Sequence, residues 1–184
     1  MSNINERLDK LRKLVQDEDF LEGKGLSNEV NIRIFCYDPT EEMRIKHFVK
    51  QITTDQSIKS HIVEYDLYKI FMDICADLDI LDSIPDMEES DGSEYTLESI
   101  HSAIGEQEFI SKMKEYGELK TGDVMLITGV GDAFPFMRVH KMLEAVQRTS
   151  QLLRYLSCIR VRSTAITSDY LINSHLIRTT ELLM

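Results

Sequence analysis

Two glycines and two cationic side chains mark the stretch whose residue types could bind an anion. Gly129 and Gly131 follow a short apolar run at 124–128, and a glycine turn can aim backbone N–H groups at a phosphate. Arg138 and His140 come next, where they could contact a phosphate or a protein partner. A Gly-x-Gly pair is weak evidence, because no lysine stands at the spacing of a Walker loop. A simple strand-to-helix turn is the alternative interpretation.

Asp38 is the other candidate, because it follows an apolar run at 30–37 and precedes Pro39. A carboxylate at the end of a strand could act in catalysis, but Asp before Pro is also typical of a helix N-cap. Three cysteines (Cys36, Cys75, Cys158) lie too far apart for a zinc pattern, and no nucleophile–base motif is present. We therefore predict no cofactor, no metal and no catalytic residue.

The elements that must position these residues follow from apolar periodicity. Runs at 30–37, 61–65 and 124–128 predict strands, and the last is continuous enough for a buried parallel strand. Helical stripes lie between and after them: Ile45, Phe48, Val49 and Ile52; Tyr68, Phe71, Met72, Cys75 and Leu78; Val139, Met142, Leu143 and Val146. The pattern predicts a single α/β domain, with a small, mostly parallel sheet and helices packed on it.

Charge separates the chain into two parts. The net charge is −11, and residues 148–184 carry five Arg, one Asp and one Glu, so they stand at +3 and residues 1–147 at −14. A negative body argues against direct nucleic-acid binding. Twelve carboxylates and no Lys or Arg occur between Ile70 and Ile110. Around 85–95 the composition predicts an acidic loop, either solvated or docking a basic partner.

The segment TGVG followed by FPFMRVHKMLEAV, together with FCYDP at 35–39 and DLY at 66–68, resembles the BrxB family of bacteriophage exclusion (BREX) defence systems. The resemblance covers most of residues 1–147. It implies a non-catalytic component of a BREX complex, acting through contacts with other BREX proteins, of which a PglZ-like protein with an alkaline-phosphatase fold is the first candidate. The alternative is a nucleotide- or phosphate-binding enzyme subunit that uses the Gly129–Gly131 turn. We expect a cytoplasmic protein, because no apolar run is long enough to cross a membrane.

Residues 148–184 depart from this resemblance. They are rich in Leu, Arg, Ser and Thr and contain no Gly, Lys or Pro. Permitted codons for Leu156–Ala165, regrouped from the third base of the first codon, encode VLYPGTFNG, and Leu176–Met184 likewise yields NPYYRAFN. Both resemble the family's C-terminus, a strand ending in YPG followed by a YYRAF segment. We therefore expect a frameshift near residue 148, the loss of the C-terminal strand, and a mobile or loosely helical tail that adds little stability. The alternative is a natural C-terminal segment that has diverged from the family.

Overall fold

The computed structural model describes residues 3–22, 32–117, 119–120, 122–138, 141–142, 144–145, 154–160 and 181–182. A parallel sheet of five strands forms the centre of the molecule, in the order β2-β3-β4-β1-β5. Its strands are β1 (Ile32–Tyr37), β2 (Ile62–Asp66), β3 (Val124–Thr128), β4 (Arg154–Arg160) and β5 (Glu181–Leu182). The α/β class and the parallel sheet predicted from the apolar runs are confirmed.

Helices cover both faces of the sheet. The described residues form α1 (Ile4–Leu14), α2 (Glu18–Glu22), α3 (Glu42–Thr54), α4 (Leu67–Asp77), α5 (Ile84–Asp91), α6 (Ser93–Ala103), α7 (Glu106–Tyr116) and α8 (Val130–Ala133). One core contains buried residues of α1, α2 and α3 with Phe35 and Leu126. The other contains buried residues of α4, α6, α7 and α8 with Ile34 and Ile127. Successive strand residues therefore serve opposite cores, as the pleat of a strand requires.

Strand β3 shows why the apolar run at 124–128 predicts its structure so well. All five of its residues are buried, because helices cover both faces and β2 and β4 pair along both edges. Such a strand needs apolar side chains in both directions, hence a continuous run rather than an alternating one. The stripe Ile45, Phe48, Val49 and Ile52 of α3 is likewise fully buried.

The expected loss of the C-terminal strand is wrong for residues 154–160. These residues form β4, which lies in the middle of the sheet and pairs with β1 on one side and β3 on the other. A run of apolar residues interrupted by Ser157 is compatible with a strand as well as with a short helix, and pairing on both edges decides between them. The frameshift itself stays a prediction, as does the boundary at residue 147.

The structure corrects two further predictions, which concern the acidic stretch and the apolar stripe of α4. The acidic stretch around 85–95 forms α5 and the start of α6, joined at Gly92, rather than a loop. Gly92 adopts a φ of 85°, which lets one helix end and the next begin without an intervening loop. In α4, Phe71 and Cys75 are buried as predicted, but Tyr68 and Leu78 are 40% and 45% exposed. The buried face of α4 also includes Leu67, Ile70 and Ile74, so it is rotated around the helix relative to the predicted stripe.

Across the part of the chain that the structure describes, no helix combines the length and apolar composition that a bilayer crossing requires.

Candidate functional site at the carboxyl edge of the sheet

Gly129 stands at the end of β3 against the first turn of α4. Its φ of 67° is left-handed, which glycine adopts without a steric penalty. A Cβ atom at this position would overlap Asp66 Oδ1 and lie 3.0 Å from Asp66 Cγ and 3.1 Å from the Tyr68 backbone nitrogen. Position 129 therefore requires glycine for two reasons: its left-handed backbone angle and the close approach of a carboxylate from the neighbouring strand.

Asp66 is the N-cap of the helix that follows it. Its side chain accepts hydrogen bonds from the backbone N–H groups of Tyr68 and Lys69, at 3.1 and 3.2 Å, and so caps α4. A second contact joins the same two strands, because the Thr128 hydroxyl donates to Glu64 Oε1 at 2.8 Å. Two carboxylates of β2 thus border the end of β3, and the edge is negatively charged beside the glycine.

The short helix α8 begins directly after Gly129, and the chain that leaves it is anchored by aromatic packing. The Phe136 ring stacks on Phe71 of α4, with ring centroids 4.4 Å apart and an interplanar angle of 9°. His101 Nε2 on α6 lies 2.9 Å from the carbonyl oxygen of Pro135. Residues 134–136 are therefore held between two helices of the same face.

The predicted glycine and cation candidates do not converge on one point. Gly129 makes the turn, whereas Gly131 lies inside α8 and is half-buried. Arg138 is exposed, and its carbonyl oxygen accepts from the Met142 N–H at 3.2 Å. Residues 141–142 and 144–145 are helical, and Met142 and Ala145 are buried. Met142 belongs to the predicted apolar stripe, so its burial agrees with that prediction. His140, Val139, Leu143 and Val146 lie outside the described residues.

Asp38 occupies a different part of the edge. It follows β1, and because β4 separates β1 from β3, it stands about 10 Å from Gly129, two strand spacings away. The Asp38 side chain accepts from the Thr40 hydroxyl at 2.6 Å and the Thr40 N–H at 2.9 Å. It caps the 3-10 turn Pro39–Glu41. Those hydrogen bonds, the hydroxyl first, hold the Asp38 pKa below its usual value, so the carboxylate is an acceptor rather than a proton donor.

The geometry at Gly129 argues against a phosphate in the turn. A phosphate would need N–H groups facing an open, positively charged space, but Asp66 fills the space beside Gly129 with a carboxylate. Helix α8 has only four residues, so its dipole adds little. Among the described residues, no group of three or more His, Cys, Asp or Glu could hold a metal ion. The arrangement is suited to holding a surface rigidly in place.

Several residues of this edge were not among the sequence candidates: Glu64, Asp66, Thr128, Tyr68 and Phe134. The role of Asp66 could have been predicted from the sequence, since an Asp directly before a helical stripe is a common N-cap. The hydrogen bond between Thr128 and Glu64 could not, because 64 residues separate them and only the strand register brings them together.

Comparison with known proteins gives a consistent result. The family described as BREX protein BrxB matches residues 63–156. A BREX protein BrxB from Bacillus cereus (strain H3081.97) is 32% identical over 154 residues, which cover 80% of this chain and 79% of the relative. A BREX protein BrxB from Escherichia coli O9:H4 (strain HS) is 20% identical over 141 residues, covering 77% and 70%. No solved structure matches the chain.

Proposed function

Because the chain belongs to the BrxB family of BREX proteins, we propose that it is a non-catalytic component of a BREX anti-phage assembly that acts by binding other BREX proteins. The observation that carries this proposal is that the acidic side chains at the carboxyl edge of the sheet already bind and support the backbone. Asp66 caps α4, Asp38 caps its own turn, and Gly129 packs against Asp66. An α/β enzyme keeps reactive groups at this edge, whereas here the carboxylates support the backbone.

The partner to test first is a PglZ-like protein with an alkaline-phosphatase fold, and the surface to test first is the edge from Gly129 to His140. Arg138 is exposed there and follows a segment that is fixed by the Phe136–Phe71 stack. A rigid surface loses little conformational entropy when it binds, which favours a recognition role. The phosphate-binding alternative is weakened by the carboxylate beside Gly129.

Co-purification tests this proposal. A tagged chain would be expressed with the remaining BREX proteins, and the captured proteins would be quantified by mass spectrometry. We expect stoichiometric recovery of at least one BREX protein, the PglZ-like protein first, and a clear loss with the double variant Arg138→Ala/His140→Ala.

The matched control is Arg44→Ala. Arg44 is a half-exposed arginine on α3, and this helix packs against the opposite face of the sheet. The Arg44 side chain forms an ion pair with Glu41, one helical turn earlier, at 3.4 Å. Recovery should be unchanged in this variant. If no BREX protein is recovered with the unmodified chain, the proposed function is contradicted; equal recovery with both variants would place the interface elsewhere.

We also propose that a slip of one or two bases near Arg148 to Tyr155 produced the present C-terminus. The match to the family model ends at residue 156, and permitted codons read in the shifted frame would restore the YPG and YYRAF segments. Sequencing the gene across the codons for Gln147 to Leu156 tests this directly. An extra or missing base relative to close relatives is expected, and an uninterrupted frame shared with them would refute the slip.

A further inference from the structure

Helix α5 is weakly anchored to the core. No residue of α5 is buried, whereas α6 buries Thr96 and Ile100 and α7 buries three of its residues. The main contacts of α5 are with its neighbours in the chain, the 3-10 turn Leu81–Ser83 and α6. Its first residue, Ile84, packs partly against the core of α4, α6, α7 and α8. Little tertiary packing therefore opposes the separation of residues 85–91 from the body of the protein.

The charges of α5 also oppose its helical state. Glu88, Glu89 and Asp91 lie in the last turn, which contains no basic residue, and the negative end of the helix dipole destabilises carboxylates there. A single carboxylate, that of Asp86, lies in the first turn, where the dipole favours negative charge. Asp86 and Glu89 are three residues apart, a spacing at which like charges repel each other on a helix surface. The charge pattern therefore weakens a helix that packing holds only loosely.

Helix α7 has the opposite arrangement and packs against the same core. Glu106 and Glu108 lie in its first turn and Lys114 in its last turn, so its charges match the helix dipole. Phe109, the centre of its apolar face, is fully buried. The two helices therefore differ in both packing and charge pattern, and α7 provides an internal reference for the behaviour of α5.

The two ends of α5 are held by few interactions. At its start, the Ser83 side chain donates no capping hydrogen bond to the helix and accepts none from it. At its end, the Gly92 N–H donates to the Glu88 carbonyl oxygen at 3.1 Å, and the Ser93 hydroxyl donates to Glu88 Oε1 at 2.6 Å. All three of these residues are exposed, so water competes for the same hydrogen bonds and each adds little stability. Both ends can therefore open without breaking buried contacts.

We propose that α5 is a locally opening arm whose equilibrium is set by the charge of its last turn. In the open state, residues 85–91 separate from the body and lose their helical hydrogen bonds, while the sheet and the other helices stay folded. Neutralising or screening the last turn favours the closed helix, because it removes the unfavourable interaction with the dipole. Opening exposes the apolar side of α5, where Ile84 and Met87 are half-buried in the closed state. The inference does not depend on the identity of any partner.

The first experiment measures amide hydrogen exchange of the unmodified full chain by mass spectrometry. Relative to unfolded-chain rates, we expect the amides of residues 86–91 to exchange at least about tenfold faster than those of α7. Raising the NaCl concentration from about 20 mM to about 500 mM should slow exchange in α5, because salt screens the charges of the last turn. Equal protection of α5 and α7, or exchange in α5 that salt does not slow, would refute the opening arm.

The second experiment tests the position of the charge with two single variants. Glu89→Gln removes a carboxylate from the last turn and should slow exchange in α5 about two- to fivefold at low salt. Asp86→Asn is the matched control, because it removes the same charge and relieves the same repulsion with Glu89, but from the first turn, so it should not slow exchange.

The exchange of α7 should be the same in both variants and in the unmodified chain. If both variants slow exchange in α5 equally, the charge of the last turn does not set the equilibrium and the inference is wrong. If exchange in α7 changes together with that in α5, the opening is global and α5 is not a separate unit, which also contradicts the inference.

Discussion

Two strand-to-helix turns stand at the same edge of one sheet and are built in different ways. After β1, Asp38 caps the next turn through Thr40, two residues along the chain. After β3, Gly129 turns with a left-handed backbone and packs against Asp66, which belongs to a different strand. The first turn is closed by local hydrogen bonds and faces solvent, whereas the second is closed by a tertiary contact. We therefore expect the second to be far less tolerant of substitution.

Strand β4 separates the two turns, and its removal should have the largest effect. Cutting the chain after Gln147 deletes β4, which pairs with both β1 and β3. The fully buried β3 would then expose an unpaired edge. The placement of β4 thus reverses the expectation that the tail adds little stability. We expect the shortened chain to lose cooperative thermal unfolding, measured by circular dichroism.

The same melting experiment can include a frame-restored version. If the shifted frame supplies the family's own strand at this position, this version should melt several degrees above the given chain, because a better patterned central strand buries more apolar area. If the shortened chain melts as high as the given one, β4 is not part of the sheet. If the given chain melts highest of the three, the frameshift hypothesis is wrong.

The next largest effect is expected from Gly129→Ala. A left-handed alanine costs about 1–2 kcal/mol, and the overlap with Asp66 forces a rearrangement that adds about 1–3 kcal/mol. The matched control is Gly129→Ala in an Asp66→Ala background, which keeps the left-handed alanine but removes the carboxylate that its Cβ overlaps. Urea denaturation should show that Gly129→Ala costs clearly more unfolding free energy in the unmodified chain than in this background. Equal losses would mean that the contact with Asp66 is unimportant.

The smallest effect is expected from Asp38→Ala. Because hydrogen bonds lower the folded-state pKa of Asp38 below its ordinary 3.8, the ionised cap stabilises the fold above that ordinary pKa. This contribution is lost as the pH falls through the folded-state pKa. We therefore expect a small decrease in Tm at pH 7 that shrinks below about pH 4. A decrease that is independent of pH would mean that Asp38 acts through packing and not through its charge.

The two turns also show how much of the fold and site the sequence could predict. The capping alternative for Asp38 could be predicted because Pro39 follows it and its partner Thr40 is two residues away. Strand β3 could be predicted because burial on both faces leaves a continuous apolar run. The contact of Gly129 with Asp66 could not be predicted, since it depends on β2 and β3 being neighbours in register. The exposure of Tyr68 could not be predicted either, because α4 is apolar on more than one side and periodicity alone does not say which side the sheet will cover.

Strand β4 was missed for another reason. Its composition suggested an unselected sequence, but a central position between two paired strands supplies hydrogen bonds on both edges whatever the side chains are. The local sequence pattern therefore did not predict a strand here, because the strand conformation depends on pairing with β1 and β3.

We propose that the Gly129 edge supports a protein-binding surface and does not bind phosphate. Isothermal titration calorimetry of the unmodified chain with Mg-ATP, Mg-GTP and inorganic phosphate tests it most directly. Because the Asp66 carboxylate lies beside the turn, we expect no saturable heat at micromolar to low-millimolar ligand. Saturable micromolar binding that Arg138→Ala/His140→Ala abolishes would contradict the account and establish the edge as an anion site.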